Sequence, residues 1–118
     1  MQLSQLPSDS VVTLVRCSGK ISQTEIQHDQ DPLGELLGPG TYGRRVLFDL
    51  GQTHYIDSSG VSWMLTIHKR FRNTGGKIVY HSAPPLVQQT LDLLRMNLIL
   101  HLATDLTTAR GLALEGQS

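Results

Sequence analysis

The side chains best suited to chemistry in this chain are two adjacent serines, Ser58 and Ser59, which follow Asp57 in a D-S-S-G motif. An apolar run at residues 46–50 precedes the motif, and apolar residues at helical spacing follow it over residues 60–72. Aspartate and serine commonly begin helices. Because a helix N-terminus presents unpaired N–H groups and the positive end of its dipole, it would stabilise a phosphate on either hydroxyl. The motif therefore indicates either a phosphorylation switch or a simple helix cap.

The elements that must position these serines alternate between strand and helix. Strands are predicted at residues 11–17, 46–50, 77–81 and 98–103, and helices at residues 60–72, from Pro84-Pro85 to Asn97, and from Thr104 or Asp105 through Ala109 and Leu112. Such alternation favours parallel pairing with helices packed against the sheet. We expect residues 46–50 to form a central strand of a mixed sheet, with the helices from Gly60 and Pro85 on one face.

The segment between Glu25 and Arg45 is the least regular part of the sequence. Asp31 is predicted to cap a short helix with Pro32 at its first position, and Gly38-Pro39-Gly40 to end that helix. Residues 34–43, residues 1–10 and residues 114–118 are the expected flexible segments, the last two being frayed termini.

Length and composition fit one small domain. The chain has 118 residues, and ten basic side chains balance ten acidic ones, so bulk charge does not favour nucleic acid as a partner. No apolar run approaches the roughly 20 residues needed to cross a bilayer, and the first ten residues lack the pattern of a signal peptide. We therefore expect a soluble, cytoplasmic protein without membrane insertion.

Other chemistry is weakly supported. His28, Asp29 and Asp31 have no fixed spacing for metal ligands, so no metal is assigned. The single cysteine, Cys17, lies in a predicted strand, where a buried, inert thiol is more common than a nucleophile. The remaining candidates are three scattered histidines near strand ends, His54, His81 and His101. The sequence also lacks a nucleotide-binding glycine motif, so no cofactor is expected. We therefore expect a protein without catalytic activity. A thiol-dependent enzyme or a hydrolase is the less favoured alternative.

One cluster of positive charge lies near the end of the second predicted helix. It comprises Lys69, Arg70 and Arg72, with Lys77 after the following turn. Cations at a helix C-terminus complement the helix dipole, which favours a structural role. Binding of an acidic partner or of membrane lipid is the alternative.

In the order strand, D-S-S-G, apolar helix, G-G, strand and proline-initiated helix, the sequence resembles the single-domain STAS proteins typified by bacterial anti-sigma-factor antagonists. The resemblance covers residues 11–19 and 46–109. It implies one STAS-like α/β domain over residues 1–118, with a mixed, mostly parallel sheet of about four to five strands and helices mainly on one face.

The resemblance also implies a function in bacterial signalling. In such antagonists an anti-sigma serine kinase phosphorylates the first hydroxyl after the aspartate, which here is Ser58, with Ser59 as the alternative. The unphosphorylated protein binds that kinase and releases a sigma factor, and a serine phosphatase reverses the modification. The implied partner-binding residues are Ser22, Asp57, Ser58, Ser59 and Gly60; Ser22 stands where the family usually has an aspartate.

Two further interpretations stay open at this point. The same fold serves as a subunit of lipid-transport ABC complexes or of stressosome-like assemblies, in which the motif surface would be a permanent interface. A homodimer is also compatible with the sequence.

Overall fold

A computed structural model of the chain describes residues 1–22 and 30–115. Within them one five-stranded sheet has the order β1-β2-β3-β4-β5. β1 is antiparallel to β2, and all other neighbours are parallel. The strands are β1 (Gln2–Leu6), β2 (Thr13–Ile21), β3 (Arg45–Ile56), β4 (Lys77–His81) and β5 (His101–Ala103). The α-helices are α1 (Pro32–Leu37), α2 (Ser58–Thr74), α3 (Pro85–Leu93) and α4 (Leu106–Leu114). The predicted mixed, mostly parallel α/β fold is confirmed.

β3 is the central strand, as the apolar run at residues 46–50 predicted. Side chains alternate across a strand. Val46, Phe48 and Leu50 therefore enter the larger hydrophobic core on one face, and Leu47 enters a smaller core on the other. The strand continues to Ile56, well beyond its apolar part, because its later residues still pair with β2 as far as Ile21.

The helices divide unequally between the two faces. Helices α1, α2 and α3 bury their apolar side chains in the larger core, which confirms that the helices from Gly60 and Pro85 share a face. Helix α4 packs alone on the opposite face, where Ala109 and Ala113 contact a core of only five buried residues. The helices thus lie mainly on one face, as expected.

Several predicted bounds require correction. The expectation that residues 1–10 fray is wrong for Gln2–Leu6, which forms β1 and pairs with β2, Leu3 standing opposite Cys17. Most side chains of β1 are exposed, which explains why its sequence has only a weak apolar pattern. The last strand covers only His101–Ala103, and α3 ends at Leu93 rather than near Asn97, because Arg95 adopts a left-handed conformation and starts a short 3-10 turn. At the other terminus, Leu114 is helical and residues 116–118 lie outside the described residues.

The short helix predicted after Asp31 is present as α1. The Asp31 carboxylate accepts a hydrogen bond from the Gly34 N–H at 3.1 Å, Pro32 begins the helix, and Gly38 ends it with a positive φ of 77°. The Tyr42 hydroxyl donates to the same carboxylate and Arg70 of α2 lies 3.6 Å from it, so the cap ties this segment to the rest of the domain. Residues 34–43 are thus built from α1 and a 3-10 turn.

Candidate functional site

The D-S-S-G motif lies at the carboxyl edge of the parallel strands. Ile21, the last residue of β2, pairs with Ile56, the last residue of β3. Ser22 and Asp57 follow these two residues directly, so the parallel register brings both to the same edge. The structure therefore gathers the five predicted partner-binding residues in one region.

Asp57 caps α2. Its backbone is extended, and its Oδ1 accepts hydrogen bonds from the Gly60 N–H at 2.9 Å and from the Ser59 hydroxyl at 2.6 Å. The Ser59 hydrogen bond, followed by the Gly60 N–H, lowers the pKa of the Asp57 carboxyl below its ordinary value. Asp57 is consequently a carboxylate at neutral pH, placed where the helix dipole stabilises negative charge.

The two serines of the motif have different surroundings. The Ser59 hydroxyl donates to Asp57, and its side chain is half-buried. Ser58 is the first residue of α2 and is exposed. A modifying enzyme would thus reach Ser58 without breaking the cap, whereas reaction at Ser59 would first remove its hydrogen bond to Asp57.

Gly60 fixes the position of this helix start on the sheet. A Cβ built on Gly60 would overlap the carbonyl oxygen and carbon of Ile21, which are backbone atoms that cannot rotate away. Only glycine permits this approach of α2 to the end of β2. Gly60 and Ser22 are both buried, Ser22 with 3% of its surface exposed, so of the five predicted partner-binding residues only Asp57, Ser58 and Ser59 offer accessible polar surface.

The other candidate residues that the structure describes do not assemble into a reactive centre. Cys17 is fully buried in β2, which confirms the predicted burial, and burial raises the pKa of its thiol. His54 is exposed, and His81 shares a hydrogen bond of 2.8 Å with the Ser82 hydroxyl. In the described residues no three His, Cys, Asp or Glu side chains are grouped as metal ligands. His28 and Asp29 lie outside those residues.

The basic cluster is divided by the fold. Arg70 lies beside Asp31 and over the Tyr42 ring, whereas Lys77 is buried and its ammonium donates to the Leu112 carbonyl at 2.6 Å. Sequence reasoning missed His68, whose ring lies 5.3 Å from that of His101. Its position on the apolar stripe of α2 was the available signal, since the residues four before it and three after it, Met64 and Phe71, are both core residues.

Comparisons with known proteins agree on the fold. A family model described as the STAS domain matches residues 4–109. A solved structure described as an anti-sigma factor antagonist from Thermotoga maritima has a TM-score of 0.80 at 16% identity, covering 96% of this chain and 95% of that one. An anti-sigma factor antagonist from Mycobacterium paratuberculosis gives 0.76 at 14% identity, covering 97% and 96%.

A third similar structure is a Bacillus cell fate determinant, SpoIIAA, in its phosphorylated form. Its TM-score is 0.63 at 12% identity, covering 94% of this chain and 99% of that one. At such identities these structures establish a shared fold alone. Separately, none of the helices in the described residues is long and apolar enough to span a bilayer.

Proposed function

The chain belongs to the STAS domain family, and from that premise we propose that it is a protein-binding regulator switched by phosphorylation of Ser58. In its unmodified form it binds an anti-sigma serine kinase and so releases a sigma factor. A serine phosphatase restores that form after phosphorylation. The protein itself performs no catalysis and acts in the cytoplasm.

The exposure of Ser58 at the start of a 17-residue helix is the observation that carries this proposal. The hydroxyl is accessible to a kinase, and the adjacent backbone N–H groups and helix dipole stabilise an added phosphate. The neighbouring Ser59 is engaged with Asp57, so the motif has one structural hydroxyl and one accessible hydroxyl.

Phosphorylation changes partner binding through charge. The phosphate adds about 1.5 to 2 negative charges at neutral pH. It would stand beside the Asp57 carboxylate, so a partner that covers this edge must desolvate two neighbouring anionic groups. The domain tolerates the phosphate, because the phosphate lies at the N-terminus of α2. The complex does not tolerate it, because the phosphate would be desolvated in the interface.

The absence of catalysis is supported by the site itself. The accessible surface at the motif offers carboxylate and hydroxyl groups, and the thiol of Cys17 is buried with a raised pKa elsewhere in the sheet. A nucleophilic serine requires a general base within hydrogen-bond reach. The carboxylate of the motif itself, that of Asp57, already accepts from Ser59 and the Gly60 N–H.

Mass spectrometry of the phosphorylated protein tests the modification. The wild type, Ser58→Ala and Ser59→Ala are each incubated with the anti-sigma kinase of the same organism and ATP, and the peptides are sequenced. Phosphate is expected on Ser58 in the wild type and in Ser59→Ala, and no incorporation in Ser58→Ala. Phosphate found mainly on Ser59 would overturn the residue assignment, and a wild type that accepts none would overturn the switch.

A further inference from the structure

A second polar site lies at the opposite edge of the sheet from Ser58. A pocket of about 260 Å³ opens where β3 and β4 begin, beside the C-terminal half of α2 and the start of β5. Its ionisable side chains come from five parts of the fold: Arg45, His68, Arg72, Lys77, His101 and Glu115. Arg45 and Lys77 are paired neighbours on adjacent parallel strands, which places their side chains at the same edge.

The charges that line this pocket are unbalanced. Three basic side chains, Arg45, Arg72 and Lys77, face one acidic side chain, Glu115, although the whole chain has a formal net charge of zero. Within residues 1–22 and 30–115, none of these cations forms an ion pair. The pocket is therefore a local concentration of positive charge, only part of which is offset by Glu115 and by the C-terminal ends of α2 and α4.

Lys77 is the strongest indication that an anion belongs here. The residue is only 9% exposed, and its ammonium makes one hydrogen bond, to the Leu112 carbonyl, although an ammonium carries three donors. Burying a cation without an opposite charge is costly, and buried lysines are rare unless they are paired. An anion in the pocket would supply the missing charge.

His68 and His101 add hydrogen-bond donors to the lining of the same pocket. Burial lowers the pKa of His68 and of His101, and nearby cations lower both further: Arg72 and Lys69 act on His68, and Lys77 acts on His101. Each ring is then neutral near pH 7 and still carries one N–H donor. The rings lie 5.3 Å apart, close enough for one small ligand to contact both.

We propose that this pocket binds a small dianionic oxyanion, the phosphate group of inorganic phosphate or of a small phosphomonoester. Two arginine forks and a lysine match the planar and point-charge donors that recognise phosphate oxygens. The volume lies just below the range of pockets for drug-sized ligands, so the ligand is small. Because the site is separated from Ser58 by the length of the sheet, it does not depend on the proposed switch.

Thermal unfolding with sodium phosphate tests binding directly. A ligand of the folded state raises the Tm, so phosphate should raise it more than sodium chloride at equal ionic strength. Isothermal titration calorimetry then gives the Kd for phosphate. Arg72→Gln and Arg45→Gln are each expected to weaken binding about tenfold or more, because each removes charge-assisted hydrogen bonds.

Lys69→Gln is the matched control. Lys69 is exposed on the same helix as Arg72 and does not line the pocket, so its loss removes the same charge without removing a ligand contact. Its effect on the Kd should stay below about twofold. No saturable binding by the wild type, or equal weakening by Lys69→Gln and Arg72→Gln, would overturn the proposal, since the second result would mean a general charge effect.

Two further arms refine the ligand. Glycerol 3-phosphate binding more tightly than inorganic phosphate identifies a phosphomonoester, and the reverse order identifies the free ion. Sulfate stays dianionic across the accessible pH range, so its affinity should rise as the pH falls from the ordinary histidine pKa of about 6.5 through the lowered pKa values of His68 and His101, where both rings gain protons beside the anion. The other charged side chains that face the anion are Arg45, Arg72, Lys77 and Glu115. Sulfate affinity that stays constant or falls as the pH is lowered would contradict a role for the two histidines.

Discussion

Gly60→Ala tests how the structure holds the serine motif against the sheet. In an ordinary helix the change from glycine to alanine stabilises by up to about 1 kcal/mol, because glycine has more conformational freedom to lose. At Gly60 the new methyl group would overlap backbone atoms of Ile21, which is itself fixed by its pairing with Ile56. Relief requires α2 to move away from β2, and such overpacking costs about 1 to 3 kcal/mol or more. After the gain of up to about 1 kcal/mol is subtracted, we expect a net destabilisation of about 1 to 2 kcal/mol.

Gly111→Ala is the matched control, because the same substitution meets open space there. Gly111 lies inside α4, and apart from the adjoining backbone of the helix itself no atom lies within 4 Å of a Cβ built on it. Alanine should therefore stabilise the protein by about 0.5 to 1 kcal/mol. The two variants should shift the free energy of unfolding in opposite directions.

Urea unfolding followed by far-ultraviolet circular dichroism measures both changes. The slope of the unfolding free energy against urea concentration should be unchanged, so the shifts in midpoint report stability directly. If Gly60→Ala were as stable as the wild type or more stable, the close approach of α2 to β2 would be refuted, along with the reason for a glycine in the motif.

Two other substitutions test the core and the cap. Phe48→Ala should destabilise the protein by about 3 to 5 kcal/mol, since Phe48 is fully buried against the rings of Tyr80 and Trp63. The control Leu86→Ala, at a residue 70% exposed, should change the free energy of unfolding by less than about 0.5 kcal/mol. Equal chemical-unfolding midpoints for Phe48→Ala and the wild type would contradict this core. Asp57→Ala should lower the free energy of unfolding by about 1 kcal/mol at pH 7, because it removes the helix cap. The pKa of Asp57 is lowered in the folded state, so the stabilisation by its carboxylate is fully present above the ordinary carboxyl pKa and is lost as the pH falls through the lowered value. The stability difference between wild type and Asp57→Ala should thus narrow below about pH 4, as followed by thermal unfolding, and a difference that widens in acid would refute the cap.

Local sequence signals predicted the elements with strong patterns. β4 was predicted residue for residue, because a short apolar run begins directly after the G-G turn. The starts of α2 and α4 were predicted to within a residue or two, as the Asp57-Ser58-Ser59 group and as Thr104 or Asp105; the structure gives Asp57 and Asp105 as the capping residues. β1 was missed because an edge strand with most of its residues exposed needs few apolar side chains.

Features that depend on packing between distant residues could not be read from the sequence. The motif predicted a helix start with two hydroxyl groups. The hydrogen bond from Ser59 to Asp57, which makes the two serines different, depends on the side-chain geometry of the folded site. The anion pocket joins β3, β4, β5 and α2, and no local spacing links His68 with His101. Burial of Lys77 was equally invisible, because its charge suggested an exposed residue.

The affinity of the anti-sigma kinase for the two forms of this protein tests the central claim most directly. Unmodified protein and protein phosphorylated on Ser58 are titrated into the kinase by calorimetry, with circular dichroism showing that both forms are folded. We predict that phosphorylation weakens binding by at least about a hundredfold, because an anion buried without a partner costs several kcal/mol. Ser58→Asp, with less charge, should weaken binding to a smaller extent. Equal affinity of the unmodified and phosphorylated forms would contradict the switch and would favour a permanent subunit interface at this edge of the sheet.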